Sequence, residues 1–374
     1  MIYLDNNSTT KPSKGAILEM SHALGELWGN PSNIHGVGEA TRRAIQQTAC
    51  NITHFLATED EASIGFTSGG TEANRQVIQH MATGCDSVAF LETEHSSVID
   101  AYSDVGAINA FPLPVDANGV LDLKEFELKL AQEECRAISI QWANSETGVI
   151  QPIGKILELC EFHGATLHVD AAQVIGKITL DPELVGRIDF LTFTAHKMHG
   201  PQGVGVIVTG DRQADFDTLF PNSHTPNSPG IIAFGKVVQE RLTSIRNHTA
   251  YLQSLRDNFE TRLLSLHSDL RVNAVESPRI PNTSNIQFMG VDGAALVTRL
   301  DLEGVICSQV SACLTGRPEP SYVLTAMGIP EELARSSIRF SFSILNTPDE
   351  VDFAVDTIST CYTRLLKQSL LLLS

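Results

Sequence analysis

Six short apolar runs, each closing on polar or glycine-rich residues, punctuate the first 210 residues: SIGFTSGG (63–70), SVAFLETEH (87–95), AISIQWANSETG (137–148), TLHVDAAQ (166–173), DFLTFTAHK (189–197) and GVGVIV (203–208). Helix-like stretches separate them. A run that is apolar without alternation is what a strand buried on both faces looks like, so the pattern predicts a parallel sheet covered by helices. In such sheets a ligand lies beyond the carboxyl ends of the strands, which is where His95, Asn144, Asp170 and Lys197 fall.

After LFPNSHTPNSPG (219–230) one long amphipathic helix is expected over 231–266, crossing from a large to a small domain. The remainder mixes short strands, TSNIQFM and SIRFSFS, with helices AALVTRLD and PDEVDFAVDTISTCYTRLL, an α+β lobe. At 374 residues the chain exceeds one ordinary core and suits two domains with a site in the cleft between them.

Composition narrows the function. Lys plus Arg number 26 against 44 Asp plus Glu, a net charge of −18, which repels phosphate backbones and disfavours direct nucleic-acid binding. The start, MIYLDNNSTTKPS, lacks a basic segment followed by an apolar run, and the terminal LLLL is far shorter than a bilayer requires, so a soluble cytoplasmic protein is expected. Seven cysteines, with no CxxC pair and no metal-ligand spacing, argue against a disulfide framework or a zinc site.

Three segments carry chemistry. SGGTEAN (68–74) opens a helix after a strand: glycines admit an anion to the backbone, Thr71 can cap, and free N–H groups with the helix dipole favour a phosphate. An ordinary capped turn would look the same. TAHKMHGPQG (194–203) puts Lys197 at a strand end, where an amine facing a cleft can be desolvated and attack an aldehyde, or where it is simply a surface charge. HVDAAQ (168–173) ends a strand on Asp170, either a partner for a protonated pyridine nitrogen or the N-cap of a helix AAQVIGK. A phosphate cradle, an aldehyde-trapping lysine and a pyridinium-holding aspartate together are what pyridoxal phosphate demands.

At this point the chain resembles the cysteine desulfurases, class-V enzymes of fold-type I, and specifically the group with the longer catalytic-cysteine segment. Ten collinear segments carry the likeness: LDNNSTT, GNPSNIHGVGEAT, FTSGGTEAN, TEHSSVI, ANSETGVIQPI, HVDAAQ, TAHKMHGPQG, TPNSPGIIAFGK, SACLTGRPEPSYVLTAMG and SIRFSFS. The resemblance implies an α/β fold: a large domain over 14–246 with a mostly parallel seven-stranded sheet, and a smaller α+β domain from 1–13 and 247–374 that carries the catalytic-cysteine loop.

The same resemblance implies roles. Lys197 would join the cofactor and move the substrate α-proton, Asp170 would hold the pyridine nitrogen, Gln173 the ring hydroxyl, and His95 would stack on the ring. Gly70, Thr71, Thr194 and His196 would hold the phosphate. Thr225 would reach the phosphate of a neighbouring subunit, implying a homodimer. Asn144 and Arg339 would engage the substrate, a planar guanidinium suiting a carboxylate, although a salt bridge within the small domain would also explain Arg339. Cys313 would attack the sulfur of cysteine, keep it as a persulfide, release alanine, and pass the sulfur to an acceptor protein. Iron–sulfur assembly, tRNA thiolation and DNA phosphorothioation all use such donors. An aminotransferase, a selenocysteine lyase and a non-catalytic scaffold are the rival readings.

Three departures stand out. Gln309 and Val310 replace the family's Ser-Gly ahead of Ser-Ala-Cys, which stiffens the segment and is expected to restrain Cys313. Ser343 and Ile344 replace a Gly-Arg, removing a cation from the substrate region. TLFPNSH stands where the family has a Gly-rich, Arg-containing stretch.

Overall fold

The computed structural model describes residues 1–58, 63–83, 85–105, 109–132, 135–210, 225–309 and 319–372. The strands in chain order are β1 (Ile2–Tyr3), β2 (Ser63–Thr67), β3 (Ser87–Leu91), β4 (Asn109–Leu113), β5 (Ala137–Gln141), β6 (Thr166–Asp170), β7 (Phe190–Thr194), β8 (Gly205–Thr209), β9 (Arg271–Val272), β10 (Thr283–Gln287), β11 (Val305–Ile306) and β12 (Ser337–Ser341).

Seven of them form one sheet in the order β2-β8-β7-β6-β5-β3-β4, with β8 antiparallel to both neighbours and every other pairing parallel. All five residues of β5, β7 and β8 are buried, as runs without alternation require. The sequence pattern missed β4. It is an edge strand with Pro112 in it and three exposed residues, where a missing N–H is tolerated and no apolar run marks the strand.

Chain order reverses between β3 and β5, since β4 lies on one side of β3 and β5 on the other. Such a reversal opens a crevice at the carboxyl ends of the strands. Thr93-Glu94-His95 leaves β3 there, Asn144 follows β5, Asp170 ends β6 and Lys197 follows β7.

One core packs Ile52, Phe126, Leu157, Phe193 and Phe234 around the sheet, and Val77, Ile78, Val98 and Tyr102 close another on the helices after β2 and β3. A further core gathers Ile2 and Leu4 with Leu252, Phe259, Phe288, Phe340 and Tyr362. Around that core β12, β10 and β9 form an antiparallel sheet, and β1 pairs with β11 in parallel. The N-terminal segment therefore reaches the lobe built from the last third of the chain. Its Asp5 bridges to Ser341 on the edge of β12.

The single helix expected over 231–266 is two, Ser228–Leu242 and Ile245–Leu266. Thr243 and Ser244 break it: the Ser244 hydroxyl donates to Glu240 O at 2.8 Å, a local bond that competes with continuing the helix. Residues 172–177 are turns, so Asp170 caps no helix there.

Candidate active site

The SGGTEAN segment is a helix start. Gly70–Ala82 follows β2 directly, and its N-cap is Gly69, which offers no side-chain bond. Thr71 is therefore not the cap; it sits exposed in the first turn. The first-turn N–H groups lack intrahelical acceptors and point outward with the positive end of the dipole. Gly205 lets β8 pass against this turn, since a Cβ there would lie 2.4 Å from the Gly69 carbonyl. Thr194 is beside it, but its hydroxyl is already donated to Val204 O at 2.9 Å. His196 meets the Thr9 hydroxyl at 3.1 Å, and burial plus the charge of Lys197 lower its pKa to about 4, so it is neutral at physiological pH.

The Asp170 carboxylate accepts from Ala172 N at 2.9 Å and from Asn74 Nδ2 at 2.8 Å, and among the described residues no cation pairs with it. Asn74 also donates to the Ser97 hydroxyl at 2.9 Å, and that oxygen lies 2.8 Å from His95 Nδ1. Ser97 N–H donates to the same nitrogen at 3.1 Å. Nδ1 is thus an acceptor, and the neutral ring carries its proton on Nε2. Beneath Asn74, the Thr192 hydroxyl donates to its Oδ1, and His168, Ser139 and Tyr102 continue the chain inward. Asp170 and His95 are consequently held by one buried polar network.

Lys197 follows β7 in a short 3-10 turn and donates to the carbonyls of Asn7 and Ser8. Burial, then the Arg339 charge, lower its pKa to about 8 against the pull of Asp170 and Asp5. The residue is poised to present a neutral amine near physiological pH. Burial lowers the His95 pKa, opposed by the charge of Asp170 and reinforced by that of Lys197.

Arg339 is 4% exposed and already engaged: Nη2 donates to Asp5 Oδ1 at 2.5 Å and to Ser8 Oγ at 2.7 Å, Nη1 to Ser145 O at 3.1 Å. The alternative expectation for this residue, an ion pair, is what the structure contains. Its Nε is buried without a partner. Asn144 is likewise engaged, its Oδ1 accepting from Glu146 N, Thr147 N and Thr147 Oγ1 while Nδ2 reaches Thr93 O at 3.2 Å. It holds the strand ends of β3 and β5 together. Gln173 is buried, with Oε1 taking a bond from Lys177 and Nε2 giving one to Asn7 O. Thr225 is exposed, three residues before the helix Ser228–Leu242. Cys313 lies outside the described residues.

Sequence reasoning passed over Asn7, Asp5, Asn74, Ser97 and Lys177. Only contacts reveal them: Asn7 is 275 residues from Asn282 and 170 from Lys177, yet its Oδ1 accepts from both at 3.0 Å.

The class-V aminotransferase family model matches residues 2–215 and 212–353. A cysteine desulfurase of Trichormus variabilis is 35% identical over 98% of this chain and 94% of its own, and one of Sinorhizobium fredii is 33% identical over 97% of each. A solved structure, the NifS-like protein of Rickettsia africae, superposes with a TM-score of 0.87 at 28% identity, covering 97% of this chain and 99% of that one. The chain belongs to the class-V aminotransferase family, as a cysteine desulfurase. Its cofactor is pyridoxal 5'-phosphate.

The residues of this desulfurase fit that cofactor: an uncapped helix start for the phosphate, a carboxylate without a cationic partner for the pyridine nitrogen, an exposed imidazole face, and an amine whose proton is loosely held. The cofactor supplies an electron sink for the substrate's α-carbon. Because only the neutral amine of Lys197 attacks an aldehyde, the rate at which the cofactor-free protein takes up pyridoxal phosphate should rise with pH to a midpoint of about 8. Stopped-flow absorbance would measure it. A midpoint near the ordinary lysine value would show that the amine is not desolvated before the cofactor arrives.

The departures also acquire structure. Gln309 donates from Nε2 to Arg335 O at 2.6 Å, and Ser308 and Arg339 exchange both backbone bonds. The chain is thus clamped immediately ahead of Val310. On the far side, Ser321 Oγ donates to the buried Glu146 carboxylate, and Tyr322 OH to Glu94 O. Ile344, standing in place of the family's arginine, packs against the second lobe's core.

Proposed function

We propose that this desulfurase takes the sulfur of L-cysteine onto Cys313 and hands the resulting persulfide to an acceptor protein. The observation that carries the reading is the convergence of Lys197, Asp170 and His95 at the carboxyl ends of β7, β6 and β3, with a buried guanidinium beside them. Lys197 binds the cofactor and moves the α-proton. Asp170 keeps the pyridine nitrogen protonated, and His95 stacks and shares in proton transfer. The helix start at Gly70 and Thr71, with Thr194 and His196, holds the phosphate; Gln173 faces the ring hydroxyl.

Asn144 and Arg339 serve the substrate. Asp5 demonstrates that a carboxylate fits against this guanidinium, and an incoming amino acid would exchange with it or share it. The C–S bond of cysteine breaks, sulfur joins the Cys313 thiolate, and the carbon skeleton leaves as alanine after taking a proton. A thiol reductant then frees the sulfur as sulfide.

The active unit is a homodimer in a cytoplasmic setting. An apolar surface supports the dimer: Ile17, Leu18 and Leu24 on the helix Lys14–Glu26, then Trp28 and Ile34, 70% and 97% exposed. Apolar groups of that size, gathered on one short segment, ordinarily meet another surface. Thr225, exposed and without a role in its own subunit's site, suits a phosphate across the interface. Among the described residues no helix is long and apolar enough to cross a membrane. A dedicated acceptor pathway such as DNA phosphorothioation fits the altered segments around positions 309 and 343; tRNA thiolation and iron–sulfur assembly use the same donor chemistry.

The direct test is a product assay with L-cysteine and a thiol reductant. Alanine and sulfide should appear in equal amounts. Transfer of the amino group to a keto acid, with no sulfide, would make the protein an aminotransferase instead.

A further inference from the structure

Lys177 is fully buried and takes no part in the scheme above. Its amine donates to Gln173 Oε1 at 2.6 Å and to Asn7 Oδ1 at 3.0 Å. Asn7 in turn offers its main-chain carbonyl to two donors, Lys197 Nζ and Gln173 Nε2, the latter at 3.2 Å. One buried amine therefore fixes both the side chain expected to face the ring hydroxyl and the peptide on which the cofactor-binding lysine rests. The placement is built into the backbone. Gly176, at φ +75°, turns the chain against Met198, where a Cβ would lie 3.0 Å from the Met198 Cβ, and Thr249 Oγ1 ties the Lys177 carbonyl at 2.7 Å.

The chemistry of the contacts settles which way the Gln173 amide faces. An amine can donate to Oε1, whereas the Asn7 carbonyl can only accept from Nε2. The two partners agree, and the fixed Nε2 keeps a second N–H that neither contact uses. Among the described residues no carboxylate is hydrogen-bonded to the Lys177 amine. Burial and the charges of Lys197 and Arg339 push its pKa well below the lysine range.

We propose that Lys177 is a positioning residue for the cofactor: it locks Gln173 in the amide orientation that donates toward the ring oxygen, and it sets the Asn7 peptide that receives Lys197. The inference rests on the reading of Gln173 as the ring-hydroxyl partner. It adds a residue that touches neither cofactor nor substrate. A donor on the ring oxygen stabilises that oxygen's anionic form, and so lowers the pH at which the neighbouring imine nitrogen loses its proton.

The experiment titrates the visible absorbance of the holoenzyme for the parent, Lys177→Met, Gln173→Leu and the double variant. Each single change should raise the midpoint by about one pH unit, the scale of one hydrogen bond to a charged group. The double variant should shift no further than Gln173→Leu alone, because both changes remove the same bond. A Lys177→Met midpoint equal to the parent's would overturn the proposal. So would shifts that add in the double variant, since a purely electrostatic or structural effect of Lys177 would persist without Gln173. If Gln173→Leu itself leaves the midpoint in place, the reading of Gln173 fails, and the inference with it. Lys177→Leu carries the same expectations should the methionine variant not fold.

Discussion

Lys197→Ala is expected to remove the visible absorbance of the bound cofactor entirely and to lower kcat by on the order of 10³-fold or more, the range over which a covalent anchor and a proton-transfer group act. Three observations make this the largest single effect. The amine is the lysine at the carboxyl end of β7, its pKa lies at about 8 rather than in the usual range, and both its acceptors are main-chain carbonyls. No acidic side chain must be abandoned when it reacts. The fold should survive, because removing the side chain frees the Asn7 and Ser8 carbonyls beside a cleft that water can enter. Far-ultraviolet circular dichroism and the absorbance spectrum would be read together. A variant that keeps the visible band, or turns over at more than a hundredth of the parent rate, would assign the anchor to another amine. Lys177, which shares Asn7 with Lys197, is one alternative, and it is committed to Asn7 and Gln173.

Cys313→Ala is expected to leave that band intact and to lower sulfide production from cysteine by a similar factor, on the order of 10³-fold, as removing a nucleophile does. The described cysteines supply the contrast. Cys135, Cys160, Cys307 and Cys361 are buried, and burial pushes the Cys307 thiol far above the range in which a thiolate forms. Cys307 lies six residues ahead of Cys313 but one position past β11, inside the second lobe's core, and is inert by the same physics. Cys85 is half-buried, and burial raises its pKa; Cys50 is exposed on the helix Gly36–Leu56. Unchanged sulfide release by Cys313→Ala would remove Cys313 from the mechanism. Cofactor binding measured on the same preparation separates that outcome from a damaged site.

The anchors of the candidate site were legible because strand ends are legible. An apolar run of five residues followed by His, Asp or Lys announces both the strand and the crevice, and β3, β6 and β7 carry His95, Asp170 and Lys197 where the runs predicted. The helix start after SGG was equally readable, although the cap proved to be Gly69. Where the pattern failed, a local bond or an edge had replaced the periodic signal. Ser244 turned one expected helix into two, and Pro112 disguised an edge strand.

Hydrophobic periodicity and strand-end chemistry are local, so the chain alone determined the α/β architecture and the placing of His95, Asp170 and Lys197 after the strands β3, β6 and β7. What each polar side chain does inside the crevice is a matter of partners far away in the sequence. Tertiary structure alone decided that Arg339 rests on Asp5, that Asn144 ties two strand ends together, and that Asn7, Asn74 and Lys177 belong to the site. The physical reason is that a buried polar atom must find a hydrogen bond wherever the fold provides one, and that choice is made in space rather than along the chain.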